Sequence, residues 1–269
     1  MGFTIPADAE LALRLGIFLA VFAALALWEW RAPARAPRLT RALRWRANLG
    51  LAVLNTLVLR VVLPGSALAF AALAAEEGWG LLNRYAVPEW AAVAAAIVLL
   101  DLLIYFQHVL FHSVPALARL HAVHHADPDF DLTTGIRFHP LEIVLSTAIK
   151  FGAIAALGAP VLAVLVFEIL LNATAMFNHA NVSLPAWLEP WVRGVLVTPD
   201  MHRTHHSVIE AERNSNYGFC LSVWDRLLGT YTPAPSGRLD IGLAAWRETA
   251  AIATLPGVLR MPFVAAAKQ

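Results

Sequence analysis

All ten histidines of this 269-residue chain lie between residues 108 and 206. They form one pair four residues apart, two His-x-x-His-His runs and two single residues. In chain order they are His108, His112, His121, His124, His125, His139, His179, His202, His205 and His206. Residues three or four apart share one face of a helix, so two imidazoles spaced in this way can converge on one ion. Because imidazole is the commonest metal ligand among side chains, the pattern predicts a metal site.

The number of histidines indicates more than one metal ion. A structural zinc takes four ligands and an octahedral metal takes six. Eight to ten imidazoles exceed one coordination shell and suit two ions. Cys220 is the only cysteine, which excludes a cysteine-based zinc or iron–sulfur site. The ligands must therefore be nitrogen and oxygen atoms.

Imidazole ligands are neutral, so acidic and polar groups are expected behind them. Some candidates precede a histidine at helical spacing, and two lie inside apolar segments, where an ionisable residue is costly unless it is paired or hydrated. The candidates are Asp101, Tyr105, Glu168, Asp200, Asn216, Tyr217 and Asp225. Alternatively, Asp101 and Glu168 contact neighbouring helices or pair with Lys150 or Arg60. Asn216 and Tyr217 either line the site or form a turn.

The composition indicates a membrane protein. Hydrophobic residues make up 59% of the chain and charged residues 14%, against roughly 25% charged residues in soluble domains. A bilayer crossing of about 30 Å needs about 20 apolar residues. The apolar segments are residues 11–30, 47–75, 90–111, 141–157 and 161–177. The second is interrupted at Arg60 and Pro64, which predicts either a kinked crossing or a helix with a shorter partner. The last two are near the lower length limit for a crossing, which predicts a hairpin or a tilted pair.

The charge distribution predicts the orientation. Residues 31–46 contain six arginines and no acid, which is typical of a cytoplasmic loop. Counting crossings from there places His108, His112 and His179 on that same side. We therefore expect a multi-pass protein, of a bacterial inner membrane, with its metal site on the cytoplasmic side. Residues 185–197 are predicted either to lie in the membrane interface or to pack on the polar part of the chain.

The net charge of +1 argues against a nucleic-acid partner.

These histidines and their neighbours resemble the fatty acid hydroxylase/sterol desaturase superfamily of membrane di-iron oxygenases. The similar stretches are DLLIYFQHVLFH (101–112), HAVHH (121–125), RFHPLE (137–142), NHAN (178–181), HRTHH (202–206), NYG (216–218) and WDRLLGT (224–230). Three histidine boxes in this order between membrane helices are strongly specific, although any single box is weak. The similarity covers about residues 100–231 of what we treat as one domain, residues 1–269. Residues 131–137 are most similar to bacterial members and to the alkylglycerol monooxygenase branch.

The resemblance implies an all-α integral membrane protein, with about four to five membrane helices under a cytosolic helical cap. It implies that the histidines hold two iron ions, or zinc in a purified sample, with His139 as the tenth candidate ligand. O2 is the expected co-substrate, and the expected reaction is hydroxylation or desaturation of a lipid-like molecule from the bilayer (a sterol, fatty acyl chain, carotenoid or ether lipid). Neither a flavin motif nor the haem motif of the family's cytochrome b5 fusions is found. Electrons are therefore expected from a separate ferredoxin, cytochrome b5-like protein or reductase.

Two other functions fit the same histidines. A membrane zinc hydrolase would use the ions to activate water, and it would need an acid–base carboxylate such as Glu142 or Asp200, although no His-Glu-x-x-His motif is present. A metal transporter or storage protein would place its ligands near the bilayer midplane. Eight of the ten histidines are instead predicted at helix ends or in polar segments.

Overall fold

The structure, a computed structural model, describes residues 5–264 of the chain. Within this range the secondary structure is helical, with two isolated β-bridges and no strand. The helices are α1 (Ala7–Arg31), α2 (Arg41–Val62), α3 (Ala67–Glu76), α4 (Leu81–Arg84), α5 (Glu89–Ser113), α6 (Pro115–His125), α7 (Pro140–Leu157), α8 (Val161–Asn178), α9 (Glu189–Arg193), α10 (Pro199–His205), α11 (Glu210–Arg213), α12 (Val223–Leu227), α13 (Thr249–Ile252) and α14 (Leu255–Arg260), with 3-10 turns at Thr134–Ile136 and Met261–Phe263.

Five segments are long and apolar enough to cross a membrane, which confirms the predicted membrane architecture. They are α1, the stretch from α2 to α4, α5, α7 and α8. At 1.5 Å per residue, the 25 residues of α1 or α5 extend about 37 Å and the 18 residues of α7 or α8 about 27 Å. Only three residues join α7 to α8, as expected for a hairpin. The chain is a multi-pass membrane protein.

The second apolar segment is a helix followed by a shorter partner, which is one of the two predicted forms. Helix α2 ends at Val62, and α3 begins after the Pro64-Gly65-Ser66 turn, where the Ser66 hydroxyl caps it by accepting from the Ala69 N–H. The helix extends beyond the apolar stretch that begins at residue 47, because α2 begins at Arg41. The arginines in its first turns are compatible with a helix because acidic residues from another part of the chain neutralise Arg44.

Small residues allow the membrane helices to pack closely. Helix α5 packs against α8, α1 against α8, and α3 against both α7 and α8. The shared core combines alanines with larger side chains such as Leu100, Ile104 and Phe167, and small residues let helix backbones approach each other. Helix α7 is capped at its C-terminus by Gly158, whose φ of 68° suits glycine. A Cβ atom on Gly80 would lie 2.0 Å from the Gly158 nitrogen, so the turn before α4 rests directly on this helix end.

All histidine boxes and the arginine-rich segment meet at one end of the bundle, which we call the histidine end. The Arg44 guanidinium is paired with Asp127, just after α6, and the Ala34 N–H donates to the Asn181 carbonyl, just after α8. The short helices α9 to α14 cover this end. On α9 and the turn before it, Trp191 and Trp187 are 78% and 73% exposed, which fits the predicted interfacial position and not packing on the cap.

Candidate metal centre

Five imidazoles form a first cluster, cluster A, whose ligand nitrogens all lie within 4.8 Å of one another. Helices α5 and α6 each supply two of them and α10 supplies the fifth. The members are His108, His112, His121, His125 and His205. All are buried except His112, which is partly exposed. Five nitrogen donors from three helices therefore lie close enough together to surround one metal ion.

Four imidazoles form a second cluster, cluster B, with the same 4.8 Å limit between ligand nitrogens. They come from α6, from the residue after α8, from α10 and from the residue after α10. The members are His124, His179, His202 and His206, and all are buried. The clusters adjoin, since the rings of His125 and His206 stack with centroids 4.4 Å apart. The nine rings make one continuous centre with two parts.

Helix geometry divides each His-x-x-His-His run between the clusters. In the first run, His121 and His125 are four residues apart and face cluster A, whereas His124 faces cluster B. The second run is divided the opposite way, with only His205 in cluster A. Neighbouring helical residues point about 100° apart, and residues four apart nearly coincide. One short run can thus contribute to two adjacent ions.

Hydrogen bonds at Nδ1 orient six of the nine rings. A carbonyl oxygen can only accept, so a ring bonded to one through Nδ1 carries its proton there and leaves the Nε2 lone pair free. For His108, His205, His124 and His179 the acceptors are the carbonyl oxygens of Tyr217, Ser215, Arg137 and Ala175, at 2.8, 2.7, 3.3 and 2.7 Å. His121 bonds Glu142 Oε1 at 2.6 Å, and His112 lies 3.4 Å from Asn214 Oδ1. Such partners commonly orient metal-binding histidines.

The free ring nitrogens fit bound cations. The Nε2 atoms of four cluster A histidines and both ring nitrogens of His125 are buried without a hydrogen-bond partner, although buried polar atoms normally have one. In cluster B, His179 Nε2 lies 3.0 Å from His124 Nε2 and 3.0 Å from His202 Nε2. Since His124 and His179 both donate through Nδ1, their Nε2 lone pairs face each other. A metal ion held by these nitrogens would replace the repulsion with ligation.

Burial keeps these imidazoles in the neutral form that binds metal. Desolvation lowers the pKa of His179 to about 3, with the Ala175 carbonyl opposing the shift only in part. Desolvation and the neighbouring imidazoles also lower the pKa well below the usual 6.5 in His124, His125, His202, His205 and His206. No proton therefore competes with a metal ion for these nitrogens near neutral pH.

Cluster A opens onto a large apolar cavity between the membrane helices. The cavity has a volume of about 1430 Å³, and both His108 and His121 line it. Its walls come from α1, α2, α3, α5, α7 and α8 and include Phe18, Leu59 and Met176. The cavity is large enough for a lipid-sized ligand. Cluster A can thus reach a molecule bound within the membrane region.

Sequence comparison places these features in a known family. The fatty acid hydroxylase family profile matches residues 93–230, which contain all nine clustered histidines. This chain belongs to the fatty acid hydroxylase family.

Several curated relatives of this fatty acid hydroxylase family member are lipid hydroxylases or monooxygenases. Ornithine lipid hydroxylase OlsE of Rhizobium tropici is 33% identical over 156 residues, 56% of this chain and 45% of that protein. Human alkylglycerol monooxygenase (Homo sapiens) is 27% identical over 134 residues, 47% and 27% of the two chains. Cholesterol 25-hydroxylase of Rattus norvegicus is 31% identical over 159 residues, 56% and 50%. The matches span half or less of each relative, and no solved structure matches significantly.

The tenth histidine of this family member lies outside both clusters. His139 precedes α7, where its Nδ1 accepts from the Leu141 N–H at 3.2 Å and so caps the helix. Its Nε2 lies 3.3 Å from the Leu259 carbonyl oxygen. Both ring nitrogens therefore have backbone partners, which gives His139 a structural role in place of the predicted ligand position.

Asp101 and Asp225 hold the loop that presents Tyr217 to cluster A, and do not contact a histidine directly. Asp101 accepts from Trp224 Nε1 at 2.8 Å and from two backbone N–H groups of the loop. Asp225 accepts from the Tyr217 N–H at 2.7 Å and the Gly218 N–H at 2.8 Å. A Cβ atom on Gly218 would lie 2.7 Å from the Asp225 carboxylate. The Tyr217 carbonyl then bonds His108, so these acids act one step further from the rings than predicted.

Tyr105 and Asn216 belong to the same loop support. The Tyr105 hydroxyl lies 2.8 Å from Thr230 Oγ1. The Asn216 side chain bridges the Met201 and Thr232 backbones, and its φ of 53° marks a turn. Of the two predicted roles, Asn216 has that of a turn residue, whereas the Tyr217 ring does line the site, 5.2 Å from His112 between centroids.

Glu168 and Asp200 form ion pairs away from the rings. Glu168 lies inside the bundle and pairs with Arg14 at 2.7 Å and with Lys150. The pairing with Lys150 is the alternative considered from the sequence. Asp200 Oδ1 pairs with Arg203 and also accepts from the Ser183 hydroxyl at 3.2 Å. Glu168 therefore links helices, and Asp200 stabilises α10.

Sequence reasoning named Glu142 only as a possible acid–base group of a zinc hydrolase, and it missed the other supporting groups that lie closest to the rings. Glu142 bonds His121, and Phe130 and Phe138 cover cluster B with ring centroids 5.3 Å from His179 and 4.5 Å from His124. Beneath them lies a buried network in which Arg44 pairs with Asp127 and Asp131 and Arg137 bonds Asn48. Burial raises the pKa of Asp127, but the charge and hydrogen bonds of Arg44 outweigh it and lower the pKa to about 2. The only sequence signal was the Glu142 position in the RFHPLE stretch.

Proposed function

We propose that this family member oxidises a lipid-like substrate with O2, by hydroxylation or desaturation, using two iron ions bound by clusters A and B. One observation carries the proposal: nine buried imidazoles form two adjoining clusters, one of which opens onto an apolar cavity between membrane helices. The relatives, which are named for ornithine lipid, alkylglycerol and cholesterol, support a lipid substrate.

The chain's own residues orient the metal-binding rings, offset positive charge and exclude water from the substrate. When bound, a pair of iron ions supplies the redox chemistry that C–H oxidation by O2 requires. Hydroxylation consumes the C–H bond, O2, two electrons and two protons and yields the alcohol and water. The Nδ1 bonds fix the ring orientations, and the Glu142 carboxylate offsets positive charge through His121. The apolar cavity walls exclude water and hold the substrate chain beside His108.

We also infer that the substrate enters from the bilayer and that the histidine end faces the cytoplasm of a bacterial inner membrane. The exposed apolar side chains of the lining helices, such as Leu15 and Val53 at 51% and 61%, support lateral entry. The arginines of residues 31–46 at the histidine end support the orientation.

Lipid mass spectrometry under oxygen-18 gas tests the reaction. Cells that express the chain should gain a lipid product that carries one labelled oxygen, or that has lost two hydrogens. His205→Ala should abolish the product, because it removes one cluster A nitrogen. His139→Asn is the matched control, since asparagine can cap α7 and His139 is in neither cluster. Product formation without O2 would contradict the proposal.

One observation favours a second candidate, a zinc-dependent hydrolase. Glu142 lines the cavity beside His121, and its Oε2 atom is buried without a hydrogen-bond partner, which suits a general base. Such an enzyme would turn over anaerobically with zinc, and Glu142→Gln would abolish its activity. The oxygenase would be inactive with zinc at any oxygen level.

A further inference from the structure

A shallow cleft at the histidine end, which we call the arginine cleft, is lined by basic side chains above an aromatic floor. Arg35, Arg38 and Arg41 form its rim, and Phe130 and Asn181 lie at its base. Arg38 is exposed, and Arg35 and Arg41 are half-buried. None of the nine clustered histidines lines this cleft, and no cluster B histidine lines the apolar cavity.

The rim of the arginine cleft carries an excess of positive charge. The rim arginines use backbone carbonyl oxygens as partners: Arg35 donates to Leu239 and Arg41 to Glu29. Arg38 pairs with Asp240 at 2.5 Å, but Asp240 is shared with Arg247. Three rim cations, with Arg247 beside them, therefore share one exposed carboxylate. Below them, three buried carboxylates and two buried guanidinium groups nearly cancel; they are Asp127, Asp129, Asp131, Arg44 and Arg137.

The cleft lies one residue layer above cluster B. The Phe130 ring stacks on His179 with centroids 5.3 Å apart and contacts His206 at 5.1 Å. The N–H groups of Arg38 and Leu39 donate to the Asp129 carboxylate at 2.7 and 2.8 Å. The loop between α1 and α2, which carries Arg35 and Arg38, is thus bonded through its backbone to Asp129, the residue that precedes Phe130.

A second backbone link joins the same loop to the residues after His179. The Ala34 N–H donates to the Asn181 carbonyl at 2.8 Å, and the Arg35 N–H donates to Asn181 Oδ1 at 3.1 Å. Two sets of backbone hydrogen bonds therefore hold the loop between α1 and α2 against residues that adjoin cluster B. The two clusters therefore have different surroundings: cluster A opens onto the apolar cavity, whereas cluster B lies behind Phe130 at the base of the arginine cleft.

We propose that the arginine cleft is the docking surface for a small acidic one-electron carrier protein, which reduces the metal centre through the Phe130 contact to cluster B. This inference rests on the proposed function, which consumes two electrons per product. Each docking event oxidises one carrier by one electron, so two events supply one turnover. Separate faces let the substrate occupy the cavity while the carrier binds from water.

Charge reversal at the rim tests the docking surface. The variants are Arg38→Glu and Arg35→Glu/Arg38→Glu. Arg38→Gln is a milder change, because it removes the positive charge without placing a second carboxylate beside Asp240. Arg119→Glu is the matched control, because Arg119 is exposed on α6 and outside the cleft. The probe is a reduced plant-type [2Fe–2S] ferredoxin. Its Kd for the full chain in nanodiscs is measured at several salt concentrations, with and without iron.

The double variant should raise the ferredoxin Kd about tenfold and flatten its salt dependence, because the lost charges steer association. Ferredoxin-driven lipid oxidation should fall similarly, whereas oxidation driven by dithionite with methyl viologen should stay unchanged. An equal loss in Arg119→Glu, or an unchanged Kd in the double variant, would overturn the docking surface. The docking surface would also be overturned if the double variant lost binding only to phosphatidylglycerol vesicles, because that result would assign the arginines to lipid headgroups. Failure of both reductants in the unaltered protein would instead refute the proposed function.

Discussion

At the scale of single residues, the ring nitrogens and their partners determine what the centre can bind. Spacing identified all nine clustered histidines as candidates, but it did not divide the His-x-x-His-His runs between two clusters. That division depends on where α5, α8 and α10 lie around α6, which is tertiary information. His139 resembled the others in sequence, and only its two backbone partners separate it from them.

Glu142 is the carboxylate in direct contact with a clustered ring, so its removal should weaken metal binding. We expect Glu142→Gln to lower metal affinity by about 10- to 100-fold, because His121 loses a charged partner that orients it. Competition with a chelator measures the affinity. Glu210→Gln, which neutralises an exposed carboxylate on α11, should leave it unchanged. Equal affinities in both variants would show that Glu142 does not support the ring.

At the scale of elements, the hydrophobic pattern predicted the membrane helices to within a few residues at most ends, because lipid demands long apolar helices. The exceptions involve polar contacts between distant segments. Helix α2 begins early because Arg44 meets acids more than 80 residues away in sequence. Asp101 was expected behind the rings, but it holds the loop after Tyr217 instead. Such partners leave no local sequence signal.

Asp101 should therefore affect the stability of this loop more than metal coordination itself. We expect Asp101→Asn to lower the free energy of unfolding by about 1–3 kcal/mol, because two of its donors, the Leu221 N–H and Trp224 Nε1, would face an amide in place of a carboxylate. Thermal unfolding of the metal-free protein measures this change. Asp8→Asn, at the exposed start of α1, is the control and should change stability little. An unchanged melting temperature in Asp101→Asn would contradict the assigned role.

At the scale of the whole molecule, the fold combines a lipid-facing stem with a compact polar end that buries many neutral imidazoles. Burial lowers the folded pKa of histidines such as His179 and His206 below the usual 6.5, so the unfolded chain binds more protons as the pH falls through that value. The free energy of unfolding of the metal-free protein should therefore decrease below about pH 6.5, by up to about 1.4 kcal/mol per pH unit for each buried histidine. Melting temperatures between about pH 8 and pH 5 measure this dependence. A flat profile would mean that the rings are hydrated.

The central claim is that nine imidazoles bind two metal ions per chain, and metal content tests it most directly. Protein purified with iron should contain about two ions per chain, and so should His139→Asn. His205→Ala in cluster A and His206→Ala in cluster B should each retain about one, because each removes a nitrogen from only one cluster. One ion or none in the unaltered chain, or an equal loss in His139→Asn, would contradict the account.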